Sequence, residues 1–217
     1  EEEFPEYDYL RIEIELGQGS FLDLLSDTEL QNLTYLYDDN SFMAKVHSRH
    51  VHKYRIAREF LESDVVIQVP KLKTHYKAGV TLNLKNLVGI VTNKAYVPHL
   101  RKGPPSRGGD ELPDSSWMGR IADTMKQRRN DIVRKALYLG SNAVAERAGF
   151  TGRIETRHRL VKIRQGCWEG NDTIWRVALD LNRIMLFADK NGVMGNVLRR
   201  KVFHIIDGIV GTEKNGP

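Results

Sequence analysis

Residues 64–75 of the chain read DVVIQVPKLKTH, and this stretch carries most of the information about the fold. Val65–Val69 is a short, apolar and largely β-branched run, which is typical of a buried strand in a parallel sheet. Pro70 ends the run, and the polar residues Lys71–His75 follow at once. Ligands of open α/β sheets bind beyond the carboxyl ends of the strands. We therefore expect a ligand site in the residues that follow Pro70.

The rest of the chain interleaves patterns that are typical of strands and of helices. Strands are predicted over Tyr7–Leu16 and Val202–Ile206, and helices over Lys53–Glu62, over Met118–Ala148, and from a cap at Asp172 or Thr173 through Ala188. Such interleaving favours the α/β class over all-α or all-β folds. The prediction is a mainly parallel sheet flanked by helices, with the site at the carboxyl ends of the strands.

Length and composition predict a single α/β domain over residues 1–217, cytoplasmic and truncated at one or both ends, since the chain starts at Glu1 without methionine. The net charge is +5, a mild basic excess that disfavours a dedicated nucleic-acid binder. One cysteine, Cys167, cannot supply the ligands of a cysteine-bound iron–sulfur cluster. No apolar run approaches the ~20 residues that span a bilayer.

The segment Lys71–His99 is the best candidate for chemistry, because it holds five lysines and two histidines among glycines and short apolar residues. Lysines and nearby backbone amides suit anions, and histidine suits proton transfer near neutral pH. The predicted catalytic residues are His75 and Lys85. The predicted cofactor-binding or anion-binding residues are Lys71, Lys73, Thr81, Asn83 and Asn86. The alternative is structural: Asn83 and Asn86 cap a helix, and His75 is a hydrogen-bonded loop residue.

A second candidate lies at Asp207–Pro217, where an acidic residue follows the predicted strand and begins a glycine-rich turn. His99 and Asp207 are candidate ligands of a divalent metal, while Asp-Gly is also a common turn dipeptide. We predict that His75, Lys85 and His99 converge on one pocket. The loop Gly103–Ser116, rich in Gly, Pro and Ser, is predicted to be a mobile lid beside that pocket.

Three stretches resemble a known family. Residues 69–75 (VPKLKTH) and 79–89 (GVTLNLKNLVG) resemble the hallmark of the family called domain of unknown function 362, and residues 207–217 resemble its second conserved region. Many members of that family carry a ferredoxin-like module, for which this chain lacks the cysteines. In spacing, His75, Lys85 and His99 are also similar to nickel-pincer lactate racemase, although residues 83–84 replace the Gly-Gly before its cofactor-tethering lysine.

These features lead to two functional hypotheses. The first is an enzyme that acts on a small anionic metabolite, with metal- or redox-assisted chemistry of the oxidoreductase or isomerase kind. The second is a non-catalytic subunit for binding or electron transfer, which would serve a redox partner protein. The sequence leaves the cofactor unknown, with a divalent metal as the candidate.

Overall fold

The computed structural model describes residues 10–35, 40–114 and 166–212 of the chain. The strands are β1 (Arg11–Glu15), β2 (Leu33–Thr34), β3 (His47–Ser48), β4 (Val51–Ala57), β5 (Val65–Gln68), β6 (Lys71–His75), β7 (Gly79–Thr81), β8 (Leu100–Arg101), β9 (Lys201–His204) and β10 (Asp207–Thr212). The α-helices are α1 (Asp27–Gln31), α2 (Asn40–Val46), α3 (Arg58–Glu62), α4 (Asn83–Asn86) and α5 (Ile174–Phe187). The helix predicted over Met118–Ala148 lies outside the described residues.

Within the described ranges the strands form four small sheets rather than one large one. Their orders are β1-β4-β3, β10-β6-β7, β2-β8 and β5-β9. Most pairings are antiparallel, and only β5 with β9 and β6 with β10 run parallel. The prediction of a mainly parallel sheet flanked by helices is therefore wrong. Short connections explain the difference, because two residues join β3 to β4 and three join β6 to β7, and such links permit only antiparallel neighbours.

The helix predicted over Lys53–Glu62 is wrong for the first half of its length. Strand β4 occupies the region up to Ala57, and only Arg58–Glu62 is helical. Along β4 every second residue is buried, and Tyr54 and Ile56 are fully enclosed. Tyr54 fits a helical period as well as a strand period, so the local pattern is ambiguous. Pairing with β1, which places Ile14 opposite Tyr54, selects the strand.

The two apolar runs predicted as strands form β5 and β9, which pair with each other in parallel. Their register runs from Val65 opposite Lys201 to Gln68 opposite His204. Burial differs from the prediction, because Ile67 and Phe203 are 60% and 56% exposed. The ladder then continues past Pro70, whose carbonyl accepts from Asp207 N at 3.0 Å. Residues 71–75 are consequently a strand and not a loop at a strand end.

Helix α5 confirms the prediction for the last helix and supplies one wall of the core. The Asn171 side chain accepts from the amides of Thr173 and Ile174 and so caps the helix start. At the other end the Arg200 guanidinium donates to the carbonyls of Met185 and Ala188. The fully buried residues that α5 adds to the core are Ile174, Val177, Leu181, Ile184 and Met185.

Asp180 of α5 is a buried carboxylate that binds three donors. Its oxygens accept from the hydroxyls of Ser20 at 2.5 Å and Tyr54 at 2.8 Å, and from Phe21 N at 2.7 Å. Burial raises the pKa of Asp180 to about 6, although these donors act in the opposite direction. The network ties α5 to β4 and to the turn after β1, and it positions the helix against the sheet.

Replacing Asp180 with Ala is expected to lower the free energy of unfolding by about 2–4 kcal/mol. The variant leaves the Ser20 and Tyr54 hydroxyls and one amide without their acceptor in a dry interior. Urea denaturation followed by circular dichroism measures the loss. The control is Asp64→Ala, since Asp64 is exposed. Equal stabilities of the two variants would contradict the prediction.

Candidate functional site

One face of the β10-β6-β7 sheet carries the polar side chains of the candidate site. Along β6 the residues Lys71, Lys73 and His75 are half-buried, whereas Leu72 and Thr74 are exposed on the other face. This alternation is the period of a strand, and it places every second residue on one side of the sheet. The site therefore lies on the inner face of β6 rather than at the carboxyl ends of parallel strands.

Electrostatic interactions link His75, Lys85 and His99, while the single pocket expected for these residues stays a prediction. The charges of Lys85 and His99 lower the pKa of His75, and the charge of Lys85 also lowers the pKa of His99. Helix α4, which follows β7 directly, carries Lys85. His99 is held by its own backbone, because its amide donates to Thr34 O at 3.0 Å and its carbonyl accepts from Asn171 Nδ2 at 3.1 Å.

Three lysine ammonium groups form the cationic part of the site. Burial lowers the pKa of Lys77, and the same effect lowers the pKa of Lys85, with Lys73 and Lys77 lowering it further. Like charges that stay close together in a partly dry environment raise the free energy of the empty site. An anion would remove that repulsion, so this arrangement favours an anionic ligand.

The hydrogen bonds of His75 identify which of its ring nitrogens carries the proton. Its Nδ1 accepts from the backbone amides of Lys77 at 3.1 Å and Ala78 at 3.2 Å. An accepting nitrogen has no proton, so the neutral ring carries its proton on Nε2. Burial, together with the charges of Lys85 and Lys77, lowers the pKa of His75 to about 4. His75 is thus a neutral hydrogen-bond donor through Nε2 near pH 7.

His99 has the opposite arrangement. Its Nδ1 lies 2.7 Å from Val97 O, which can only accept, so Nδ1 carries the proton and Nε2 keeps its lone pair. The Tyr35 ring meets the imidazole edge-on at 5.2 Å and fixes its plane. Burial lowers the pKa of His99 to about 4, with Lys77 as the next cause. His99 is thus a neutral hydrogen-bond acceptor through Nε2.

Hydrogen bonds close the loop after β8, and its Asp110 carboxylate interacts electrostatically with Lys77. Asp110 is buried and accepts from Arg101 N at 2.6 Å and from the Thr173 hydroxyl at 2.6 Å. The amides of Gly109 and Glu111 close the loop on the carbonyls of Pro104 and Gly103. These bonds connect the two sides of the loop up to residue 114, and a mobile lid over Gly103–Ser116 stays a prediction. Residues 115–116 lie outside the described ranges.

The remaining predicted cofactor-binding residues fall into two groups. Thr81 and Asn83 each hold a buried side-chain oxygen, Oγ1 and Oδ1, that has no hydrogen-bond partner in the described part of the chain. Asn83 does not cap α4, because Leu82 is the residue before the helix and no side-chain cap is formed. Asn86 ends α4 and is exposed. A role in binding stays a prediction for all three.

Asp207 contacts the lysine-rich strand, since its carboxylate lies 3.3 Å from Lys71 Nζ. Both side chains are 41% exposed, so the ion pair contributes less than about 1 kcal/mol of stability. In the described ranges no three His, Cys, Asp or Glu side chains are grouped as a metal would require. The lysines around His99 further disfavour a cation, and metal binding by His99 and Asp207 stays a prediction.

Two residues of the site were not singled out from the sequence. The charge of Lys77 lowers the pKa of His75, His99 and Lys85. Lys77 also interacts electrostatically with Cys167, which is partly buried. Lys77 lies in the turn between β6 and β7, so the hairpin itself is a signal that could have identified it. Cys167 lies 90 residues further along the chain, and no local pattern places it near the site.

Comparison with known proteins identifies a partial relative and a family. The chain is 35% identical over 66 residues to a thylakoid-associated protein from Synechocystis sp., a match that covers 30% of this chain and 18% of that protein. The chain therefore spans less than a fifth of that relative's length in the match. No solved structure matches the chain. In the described ranges the longest helix, α5, has 14 residues, and no helix is long and apolar enough to cross a membrane.

The relative's association with thylakoids leaves the cytoplasmic location a prediction, and the similarity to nickel-pincer lactate racemase also stays a prediction. The family comparison is more extensive. A profile of the family described as domain of unknown function (DUF362) matches residues 20–217, which includes β6, α4, His99 and β10. The chain therefore belongs to the family described as domain of unknown function DUF362.

Proposed function

We propose that the chain is an enzyme that transfers a proton to or from a small anionic metabolite. The observation that carries the proposal is the pair of neutral imidazoles with opposite hydrogen-bonding roles. His99 accepts through Nε2 and His75 donates through Nε2, and both act beside the ammonium groups of Lys73, Lys77 and Lys85. A base, a neutral donor and nearby positive charge are the parts that general acid–base catalysis needs.

In the proposed reaction His99 Nε2 takes a proton from a carbon that adjoins a carbonyl or carboxylate group of the metabolite. The C–H bond breaks, its electron pair moves towards the adjoining oxygen, and His99 becomes an imidazolium. His75 Nε2–H donates to the oxygen that gains charge, and the lysine ammonium groups stabilise it further. A neutral imidazole suits this donor role, because its weak acidity matches that of the developing enolate.

The low pKa values of both histidines belong to the site without a ligand. An anion near Lys77 and Lys85 offsets the positive charge that acts on the imidazoles, so it raises the pKa of His75 and His99. A base becomes stronger as its pKa rises towards the working pH. Substrate binding itself would thus prepare His99 to accept a proton.

Solvent exchange tests the proposal across a whole class of substrates at once. The chain is incubated in deuterium oxide with a panel of small carboxylates and phosphorylated keto and hydroxy acids. Incorporation of deuterium into C–H positions is followed by NMR. We expect one class of compound to exchange, and we expect His99→Asn to slow the exchange by roughly 100- to 10,000-fold.

The Asn variant is a matched replacement, because its Nδ2 can still donate to Val97 O as His99 does. The substitution therefore removes the Nε2 acceptor and keeps the donor. The control is His204→Gln on β9, where the side chain is exposed. If the wild type exchanges deuterium and His99→Asn exchanges it at the same rate, His99 is not the base. Anion binding without exchange of any compound would favour the alternative of a non-catalytic binding subunit.

A further inference from the structure

Thr212 lies in a row of three polar side chains that crosses the β10-β6-β7 sheet. Lys73 pairs with Thr81 on β7 and with Thr212 on β10, so the three residues are neighbours across the strands. Residues at paired positions project to the same face, with Cβ atoms about 5 Å apart. All three are half-buried, as expected for the inner face that also carries His75.

An irregularity of β10 brings Thr212 to this position. Asp207 pairs with Lys71 and Thr212 pairs with Lys73, so six residues of β10 match three residues of β6. The extra residues bulge outward, and Ile209 at the bulge is 94% exposed. Bulges of this kind redirect side chains and are common beside binding sites. The bulge here returns the Thr212 side chain to the row.

The row contains polar groups that the fold leaves unsatisfied. Thr81 Oγ1, Thr212 Oγ1 and the neighbouring Asn83 Oδ1 are buried, and none has a hydrogen-bond partner in the described part of the chain. Buried polar atoms without a partner are few in native proteins, and each costs about 1–3 kcal/mol. The two threonine hydroxyls can donate, so a ligand with acceptor oxygens supplies their missing partners, whereas Asn83 Oδ1 is an acceptor and needs a donor instead.

The positive charge beside the row exceeds one unit. The charges of three lysines lower the pKa of His75, and two of them also lower the pKa of the third: Lys73 and Lys77 lower that of Lys85. The nearby carboxylate of Asp110 already accepts hydrogen bonds from a backbone amide and a hydroxyl. A carboxylate group brings one negative charge and two oxygens. A phosphoryl group brings a charge of about −1.5 to −2 and three strong acceptor oxygens. Two hydroxyl donors and several ammonium donors match the phosphoryl group better.

We infer that the row Thr212–Lys73–Thr81 binds the phosphoryl group of the metabolite, with Thr212 as a direct hydrogen-bond donor. This inference rests on the proposed function, of which it names the substrate class. The phosphoryl group lies on the inner face of β6, one strand repeat of about 7 Å from His75. That separation places the reacting part of a small phosphorylated metabolite between the phosphoryl group and the two histidines.

Calorimetric titration of the chain with inorganic phosphate and with acetate tests the inference. We expect phosphate to bind more tightly than acetate. Thr212→Val and Thr81→Val are each expected to weaken phosphate binding by about tenfold to a hundredfold, which is the loss of a hydrogen bond to a charged group. Neither variant should weaken acetate binding as much. Thr212→Ser, which keeps the hydroxyl, should bind phosphate like the wild type.

The control is Thr74→Val, since Thr74 lies on the exposed face of β6. Equal phosphate affinities of Thr212→Val and Thr74→Val would overturn the inference, and so would a wild type that binds acetate as tightly as phosphate. In the second case the proposed function stands, because anion binding remains. If neither anion binds, both the inference and the proposed function fail. Should Thr212→Val not fold, the wild-type preference and Thr212→Ser still decide the outcome.

Discussion

Acidification from pH 7 to pH 4 is expected to destabilise the chain strongly, with His47 as a main cause. His47 is fully buried and its Nε2 donates to Tyr96 O at 2.8 Å. Burial lowers the pKa of His47 to about 3. The ordinary pKa of histidine is 6.5. The contribution of neutral His47 to folding stability is therefore complete above pH 6.5 and is lost as the pH falls from 6.5 through 3. The full difference corresponds to about 5 kcal/mol.

Neighbouring groups add to this effect or oppose it. The pKa of the adjacent buried His52 is also lowered by burial, and protonating both rings would bring two charges together at a centroid distance of 5.7 Å. Asp180 acts in the opposite direction. Its pKa is raised to about 6, so its contribution to stability grows as the pH falls from 6 to 3.8 and amounts to about 3 kcal/mol. The lowered pKa of His99 adds to the loss, so the histidines outweigh Asp180.

Urea denaturation at pH 7, 5.5 and 4 measures this dependence. The matched variant is His47→Gln, whose Nε2 can still donate to Tyr96 O but does not titrate. We expect the wild type to lose about 3 kcal/mol more than this variant between pH 6.5 and pH 4. Parallel stability curves of the two proteins would show that His47 does not cause the loss.

Replacing Lys77 with Met is expected to raise the pKa of both His75 and His99 and to weaken anion binding about tenfold to a hundredfold. The Lys77 charge lowers the pKa of each histidine, so its removal raises both values. Burial still holds both below the ordinary value. The methionine side chain keeps most of the apolar stem, which limits the change in packing.

NMR titration of the imidazole C–H signals measures the two pKa values, and calorimetry with inorganic phosphate measures the affinity. Lys94→Met is the matched control, because Lys94 lowers the pKa of His99 but is not among the causes for His75. We expect the control to raise only the value of His99 and to leave phosphate binding nearly unchanged. Identical titration curves for Lys77→Met and the wild type would remove Lys77 from the site.

His75, Lys85 and His99 were expected to share a pocket. The structure links these residues through electrostatic interactions, and the shared pocket stays a prediction. The strand pairing was predicted poorly, because the pattern of a strand does not specify the direction of its neighbours. In the described part of the chain β5 is in a parallel pair, as expected, but most other pairings are antiparallel. Helical and strand periods also coincide at Tyr54, and only the antiparallel contact with Ile14 on β1 distinguishes them.

The functional assignments within the site needed information that no local pattern contains. The sequence suggested His75 as acid or base and His99 as a metal ligand. The proton positions instead favour His99 as the base and His75 as the donor, because the Val97 carbonyl and the Lys77 amide dictate which nitrogen is protonated. Thr212 joined the site only through the bulge of β10, which depends on the pairing with Lys73.

The sequence by itself determined the family and the segment that holds the candidate residues, because the hallmark residues identify the family, which the profile match confirms. The structure shows that residues 71–75 are a strand, which places Lys71, Lys73 and His75 on one face. The tertiary structure alone decided the burial of Lys77, the approach of Cys167 and Thr212, and the proton positions of the two imidazoles. The reason is physical: alternation is a property of neighbouring residues, whereas desolvation and hydrogen-bond partners depend on atoms that are distant in the chain.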